Sequence, residues 1–289
     1  MSRGVCRVVG SIKFNFQLWF AMLIRGLEDT RKEANKFATE RNWGQFHTPN
    51  NILLALSGEI GEVCEIFQWK GDLDNGFDVT ESSFTEAEVL HVGEEISDVI
   101  VYSCRLCDVT GIDLATAVKA KVTGSKLDSP RPCKIDDDMV TWGDYTFSEL
   151  AMYTSTVVEK KSKSPRYYAN KLSVYGGKLA ALFLERKEKD NAARLERWTE
   201  RDLIDMASIM SSIIVTMGCL GTTMNLQLED VLADKLAKNN RKYPAHLAKN
   251  RSDKYTAYAQ NNVFSPTNIK MFAFGAVILS LGFIIGRRA

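Results

Sequence analysis

Residues 48–67 read TPNNILLALSGEIGEVCEIF, and residues 85–110 read TEAEVLHVGEEISDVIVYSCRLCDVT. In the first, Thr48 followed by Pro49 is an N-cap with proline at the first helical position. Leu53, Leu56, Ile60, Val63 and Phe67 then recur at spacings of three and four, the apolar stripe of an amphipathic helix. In the second, Thr85 and Glu88 form a capping-box pattern ahead of a core face of Val92, Ile96, Val99 and Leu106. Each stripe is bordered by two acids three residues apart, Glu59 with Glu62 and Glu95 with Asp98, and that spacing puts each pair on one helix face. Four carboxylates facing one another repel unless a cation sits among them, and hard oxygen ligands select Mg²⁺ or Mn²⁺. A ferritin-like di-iron centre would want histidine three residues after glutamate on two helices, and neither position holds one. The competing reading is two pairs of solvated acids at helical spacing; their recurrence on successive apolar helices argues for a site.

Outward from these helices the chain stays helical. Thr146 with Glu149 repeats the capping signal, and no alternating β pattern is present. The fold class is therefore all-α. Residues 128–145, with Pro130, Pro132 and Gly143, read as a linker. With 37 Lys+Arg against 36 Asp+Glu, the 289-residue chain has no bulk electrostatic claim on a nucleic-acid polymer. Six irregularly spaced cysteines indicate a reducing compartment. Cys104 and Cys107 lie inside an apolar helical run and read as core thiols, with a metal or redox role as the alternative.

The chain also repeats itself. Shifted by 114 residues, Phe84-Thr85-Glu86 falls on Trp198-Thr199-Glu200, Val101 on Val215, Leu114 on Leu228, Lys121 on Lys235 and Pro130 on Pro244. A shift of 116 brings Leu56-Ser57 onto Leu172-Ser173 and Phe67 onto Phe183. Two diverged copies of one helical unit are expected, packed as a pseudo-symmetric pair because neither can bury its apolar face alone.

Glu59-Ile60-Gly61-Glu62 with Glu95-Ile96-Ser97-Asp98 resembles the metal motif of the all-α nucleotide pyrophosphatases, the MazG and dimeric dUTPase superfamily. Phe37-Ala38, Arg41-Asn42-Trp43, Gln45-Phe46-His47, Leu53 to Leu56 and Phe67-Gln68-Trp69-Lys70 are similar to the dCTP pyrophosphatase branch over about residues 27–121. The likeness resumes at Lys235, Asn239, Arg241 and Tyr243 to Ala248. It implies two tandem MazG-like four-helix units packed as a pseudo-dimer: residues 27–130 with the metal site, a linker at 131–145 and a degenerate unit at 146–257. It implies Mg²⁺-dependent hydrolysis of a nucleoside triphosphate to the monophosphate and pyrophosphate, with Mn²⁺ as an alternative ion. Glu59, Glu62, Glu95 and Asp98 would hold the metal, and Glu59 or Glu62 would activate water. Trp43, His47 and Trp69 would form the base pocket, with a core role as the competing reading for each. Tyr102 would contact sugar or phosphate.

The copies have decayed differently. Glu59, Glu62, Glu95 and Asp98 correspond to Tyr175, Lys178, Ile209 and Ser212, so no metal is expected in copy two. Copy two keeps Lys235, Asn239, Arg241, Tyr243 and Pro244, whereas copy one keeps Lys121 and Pro130 but has Ser125 and Ser129 in place of Asn and Tyr. One reading is complementary loss, with copy two supplying phosphate ligands to copy one across the pseudo-dimer interface. The other is that Lys121 suffices and copy two is a structural partner. Vertebrate members of the family carry a histidine where this chain has Ala34, which leaves base choice open between dCTP, a broader set including dUTP and dTTP, and damaged nucleotides. An inert, membrane-tethered scaffold is the reading from a different class.

Both ends carry further signals. Residues 1–26 hold Arg3, Arg7, Lys13 and Arg25 and no acid, as in a mitochondrial transit peptide or an upstream extension before a start at Met22. Met271 to Gly286 carries no charge and would span roughly 24 Å as a helix against a hydrocarbon core of ~30 Å. Residues 258–289 thus read as a linker and tail-anchor helix, which would place the body on the cytosolic face of the mitochondrial outer membrane or endoplasmic reticulum. The alternative is a packed terminal helix on a protein of the cytosol or mitochondrion. A homo-oligomer, a dimer of the double unit, is also expected.

Overall fold

The computed structural model describes residues 24–70, 84–131, 134–136, 139–161, 163–186, 195 and 198–253. The N-terminal extension before residue 24 and the expected tail anchor lie outside the described residues. The chain is mostly helical: α1 Leu27–Glu40, a 3-10 turn Trp43–Gln45, α2 Pro49–Phe67, α3 Glu86–Thr110, α4 Leu114–Thr123, β1 Lys134–Asp136, β2 Met139–Thr141, α5 Phe147–Lys161, α6 Pro165–Arg186, α7 Glu200–Thr223, α8 Leu228–Lys242 and α9 Ala245–Ala248.

The caps form where the sequence places them. The Thr48 side chain accepts from the Asn51 N–H, and Thr85 with Glu88 closes a full capping box. The same box recurs at Thr199 with Asp202. Each N3 acid then meets a base at the end of the preceding helix: Lys70 Nζ lies 2.6 Å from Glu88, and an Arg186 amine 2.5 Å from Asp202. After α3, Gly111 takes the left-handed conformation, and Ile112 N–H reaches back to Cys107 O at 2.8 Å. After α7, Asn225 takes the same conformation, and Leu226 N–H reaches Gly221 O at 2.9 Å. The capping box and the left-handed helix end of α3 thus recur 114 residues later at α7.

The packing is reciprocal. α1 packs on α3 and α5 on α7; α2 packs on α3 and α6 on α7. Across the copies α2 meets α6, α3 meets α7, α3 meets α8, and α4 meets α7. Each unit's last helix therefore lies on the other unit's long helix. The starts of α1 and α5 are joined by an antiparallel bridge at Gly26 and Thr146, with Leu27 N–H on Tyr145 O at 3.4 Å and Phe147 N–H on Arg25 O at 2.9 Å. Here the backbones touch: a Cβ on Gly26 would stand 2.5 Å from Tyr145 O. Gly26→Ala should therefore force the bridge open and lower stability by about 1–3 kcal/mol, read as a shifted urea midpoint with unchanged slope.

One buried cluster runs through both units, from Ile24 and Leu56 to Ile213 and Leu232. Cys104 and Cys107 are fully buried within it with thiols pushed up by desolvation, as core thiols should be. α7 is apolar and long enough to cross a membrane, yet most of it is buried inside the protein, as in a core helix.

The interval read as a linker holds a short hairpin. β1 and β2 pair antiparallel, with Lys134 opposite Thr141 and Asp136 opposite Met139. Three-residue strands are too short for alternation to register in sequence. The linker is also fastened to copy one: Gly143 N–H donates to Asp113 Oδ2 at 2.8 Å, Asp113 N–H donates to Pro130 O at 2.7 Å, and Trp142 and Tyr145 are buried.

Candidate active site

α2 and α3 present their paired acids to one another, and α8 of the second copy closes the space between. The result is a cavity of about 590 Å³ lined by Glu59, Glu62, Glu95, Asp98 and Tyr102 from copy one and by Lys235, Asn239 and Tyr243 from copy two. The 3-10 turn and α1 add Trp43, His47 and Phe37.

At the acidic end, Glu59, Glu95 and Asp98 bring oxygens within 4.8 Å of one another, close enough to hold one metal ion. Glu95 is only 4% exposed, and its Oε2 is buried without a hydrogen-bond partner. An orphaned buried carboxylate oxygen is costly unless a cation completes it, so the donor set fits a hard divalent ion. The electrostatics agree. Burial, then the charges of Asp98, Glu62 and Glu95, push Glu59 up to about 8. Burial pushes Glu95 up to about 7, against the pull of Lys235 and with the help of Asp98 and Glu62. Asp98 is raised by burial despite Lys235 and a hydrogen bond from Asn239. His91, Glu94 and Glu95 form an adjoining group, with His91 Nδ1 3.3 Å from Glu95 Oε1.

Lys235 is 4% exposed, and its ammonium is ion-paired with Asp98 Oδ2. Burial opposes its charge, but Asp98, Glu95 and Glu94 outweigh that and raise its pKa. Next to it Lys238 holds Glu94; burial works against the Glu94 charge, yet Lys238, Lys235 and Lys242 keep it ionised below the usual range. Tyr102 sits among the acids, its phenol pushed up by burial and by Glu59 and Asp98, so it stays a hydroxyl donor.

The other end is aromatic. Trp43 Nε1 donates to Ala248 O at 3.0 Å, and its ring meets Phe37 and Tyr243 edge to face at 5.5 and 5.4 Å. Arg41 stacks on Phe37 and donates through Nε to Tyr243 O at 2.8 Å, pinning the end of α8 to the first copy. His47 faces Trp43 and accepts at Nδ1 from Arg105 Nε at 2.9 Å.

No protein-family model matches the chain. Among proteins of established function, the dCTP pyrophosphatase 1 of Rattus norvegicus is 41% identical over 104 residues, 36% of this chain and 59% of that protein. That of Homo sapiens is 44% identical over 96 residues, 33% of this chain and 54% of its own. The chain is similar to dCTP pyrophosphatase 1. That of Bos taurus, at 40% over 104 residues, agrees. The match spans about three fifths of the length of these relatives and about a third of this chain.

Trp43, His47, Tyr102, Lys235, Asn239 and Tyr243 thus share one cavity with the four acids. Three residues expected at the site are not among those lining it. Trp69, at the end of α2, is 87% exposed. Lys121 is exposed on α4, which packs on α7 rather than toward the acids of α2 and α3. Arg241 is exposed on α8. Sequence reasoning missed His91, Glu94, Arg105 and Lys242, which do line the cavity. The signal for the first three was present: His91, Glu94, Tyr102 and Arg105 lie seven and four residues either side of Asp98, on its own helix stripe.

Proposed function

We propose that this chain is a Mg²⁺-dependent nucleoside triphosphate pyrophosphatase acting on dCTP, with one working site per chain assembled from both copies. The observation that carries the reading is the buried ion pair between Lys235 of copy two and Asp98 of copy one. It sets a phosphate-type cation beside the acidic triad of Glu59, Glu95 and Asp98 in a cavity walled by Trp43 and His47. The likeness to dCTP pyrophosphatase 1 supports the substrate class. The reciprocal packing of α3 on α8 and α7 on α4 supports a pseudo-dimer in which copy two is half of the site.

Glu59, Glu62, Glu95 and Asp98 would hold the ion, which when bound supplies charge to neutralise phosphate oxygens and a Lewis-acid centre. Glu59 or Glu62, beside each other on α2 at the acidic end of the cavity, would take a proton from the attacking water. Lys235, Asn239 and Lys242 bind triphosphate oxygens and take up charge that develops on the leaving pyrophosphate. Tyr102 donates its hydroxyl to sugar or phosphate. The phosphates lie at the acidic and lysine-lined end, and the base lies against Trp43, Tyr243 and His47.

The full chain is expected to release pyrophosphate from dCTP faster than from dUTP, dTTP or ribonucleotides, and EDTA is expected to abolish release. Equal turnover of all nucleotides would keep the chemistry and remove the cytosine assignment. No release from any of them with Mg²⁺ or Mn²⁺ would refute the enzyme reading.

A further inference from the structure

Arg105 is only 8% exposed and points its guanidinium into the base end of the cavity, yet it is not free to bind phosphate there. Its NH1 is held by Asp108 Oδ2 at 2.6 Å and Asn35 Oδ1 at 2.9 Å, and its Nε donates to His47 Nδ1. Asp108 is itself gripped by Arg31 at 3.0 Å, and Arg31 is forked onto Glu28 at 2.7 and 2.8 Å. The guanidinium therefore cannot swing away without breaking a chain of buried pairs that runs from α1 to α3.

A guanidinium has donors only. The imidazole nitrogen facing it must therefore carry a lone pair, and the ring's one hydrogen sits on Nε2. His47 lines the cavity, and Nε2 makes no other hydrogen bond among the described residues. Burial, then the Arg105 charge, lowers His47 to about 4, so the ring stays neutral at every physiological pH.

We propose that Arg105 is a positioning residue that locks His47 as a fixed Nε2–H donor, and that this donor selects a nucleobase with a ring acceptor. It rests on the function proposed above. The chemistry separates pyrimidines at one atom. Cytosine offers a lone pair at N3, whereas uracil and thymine carry N3–H there. A locked donor accepts the first and leaves two donors facing each other with the second, and unpaired buried polar groups are what make such discrimination large. A histidine without Arg105 could exchange tautomers and present a lone pair to uracil, so the selectivity comes from the arginine rather than from the histidine alone.

The first test needs no substitution. The chain has three histidines, so their ¹⁵N-detected imidazole signals are separable. His47 should show a protonated Nε2 and an unprotonated Nδ1, with no titration from pH 5.5 to 9. A hydrogen on Nδ1, or titration of His47 near the usual value, overturns the proposal. The second test is Arg105→Met, with dCTP and dUTP binding measured by calorimetry beside kcat and KM. Kd and KM for dCTP should rise roughly tenfold, those for dUTP should stay within about twofold, and kcat for dCTP should stay within about twofold. Equal losses for both nucleotides, or no change in either, would refute the selectivity. If wild-type protein binds nucleotide without releasing pyrophosphate, the enzyme reading fails, while the His47 signals and the two Kd values still judge this inference.

Discussion

Glu59→Gln is expected to lower kcat for pyrophosphate release about 10²–10³-fold while making the metal-free protein more stable. The two effects have one cause. Without a cation, burial and then the charges of Asp98, Glu62 and Glu95 raise Glu59, and burial, Asp98 and Glu62 raise Glu95. The folded Glu59 pKa of about 8 stands above the unfolded value near 4.5. Between those limits the folded chain keeps a proton that the unfolded chain has lost, so stability declines as pH rises from about 4.5 to 8 and levels off beyond. Glu95 acts in the same direction up to about 7. Glutamine at position 59 carries no charge, so the variant loses its share of that slope. Allowing for solvent screening of a partly exposed group, the gain in EDTA at pH 8 should be about 1–2 kcal/mol, or several degrees in Tm. At pH 4.5 the two proteins should melt alike. Mg²⁺ should then raise the wild-type Tm at pH 8 more than the variant's, since ligands that bind only the folded state stabilise it. Thermal melts at the two pH values, with and without Mg²⁺, read all of this. A variant less stable than wild type in EDTA at pH 8 would mean that the acids do not repel, and the case for a metal cluster would collapse.

Lys235→Met should lower kcat/KM for dCTP by about 10²-fold, whereas Lys121→Ala should leave it within about twofold. The two lysines hold the same place in the repeat, so they are chemically matched controls that differ only in which pocket they reach. Lys235 is buried on Asp98, while Lys121 is exposed on the helix that packs against α7. Removing Lys235 also strands Asp98, and breaking one side of a buried pair costs about 3 kcal/mol, which Mg²⁺ should partly restore by taking the lysine's place on the carboxylate. Kinetics of both variants beside urea melts with and without Mg²⁺ check both halves. The reverse pattern, with Lys121 essential and Lys235 dispensable, would mean that copy one builds its site alone and copy two only buries its surface.

Much of this arrangement is legible in one dimension because helices write their faces into spacing. Thr85 with Glu88 and Thr146 with Glu149 announce two helix starts, and both capping boxes form. Three-residue spacing put Glu59 with Glu62 and Glu95 with Asp98 on one face each, and the packing of α2 on α3 set all four along one cavity. The uneven decay of the repeat pointed to Lys235, Asn239 and Arg241 as phosphate ligands; Lys235 and Asn239 line the cavity, and Arg241 does not. The short strands at 134–136 and 139–141 were not legible, because their pairing is nonlocal and three residues carry no period.

Sequence alone determined the helical fold, its caps and the pairing of acids on single helix faces, all properties carried by periodicity and local hydrogen bonds. Tertiary structure alone decided which of those residues meet. Trp69 and Lys121 have the right chemistry and lie outside the cavity, while Arg105 and Glu94 lie inside it. Periodicity states which face a side chain occupies, but the helix opposite that face is chosen by the burial of two apolar surfaces against each other. Here that burial sends each unit's last helix onto its neighbour.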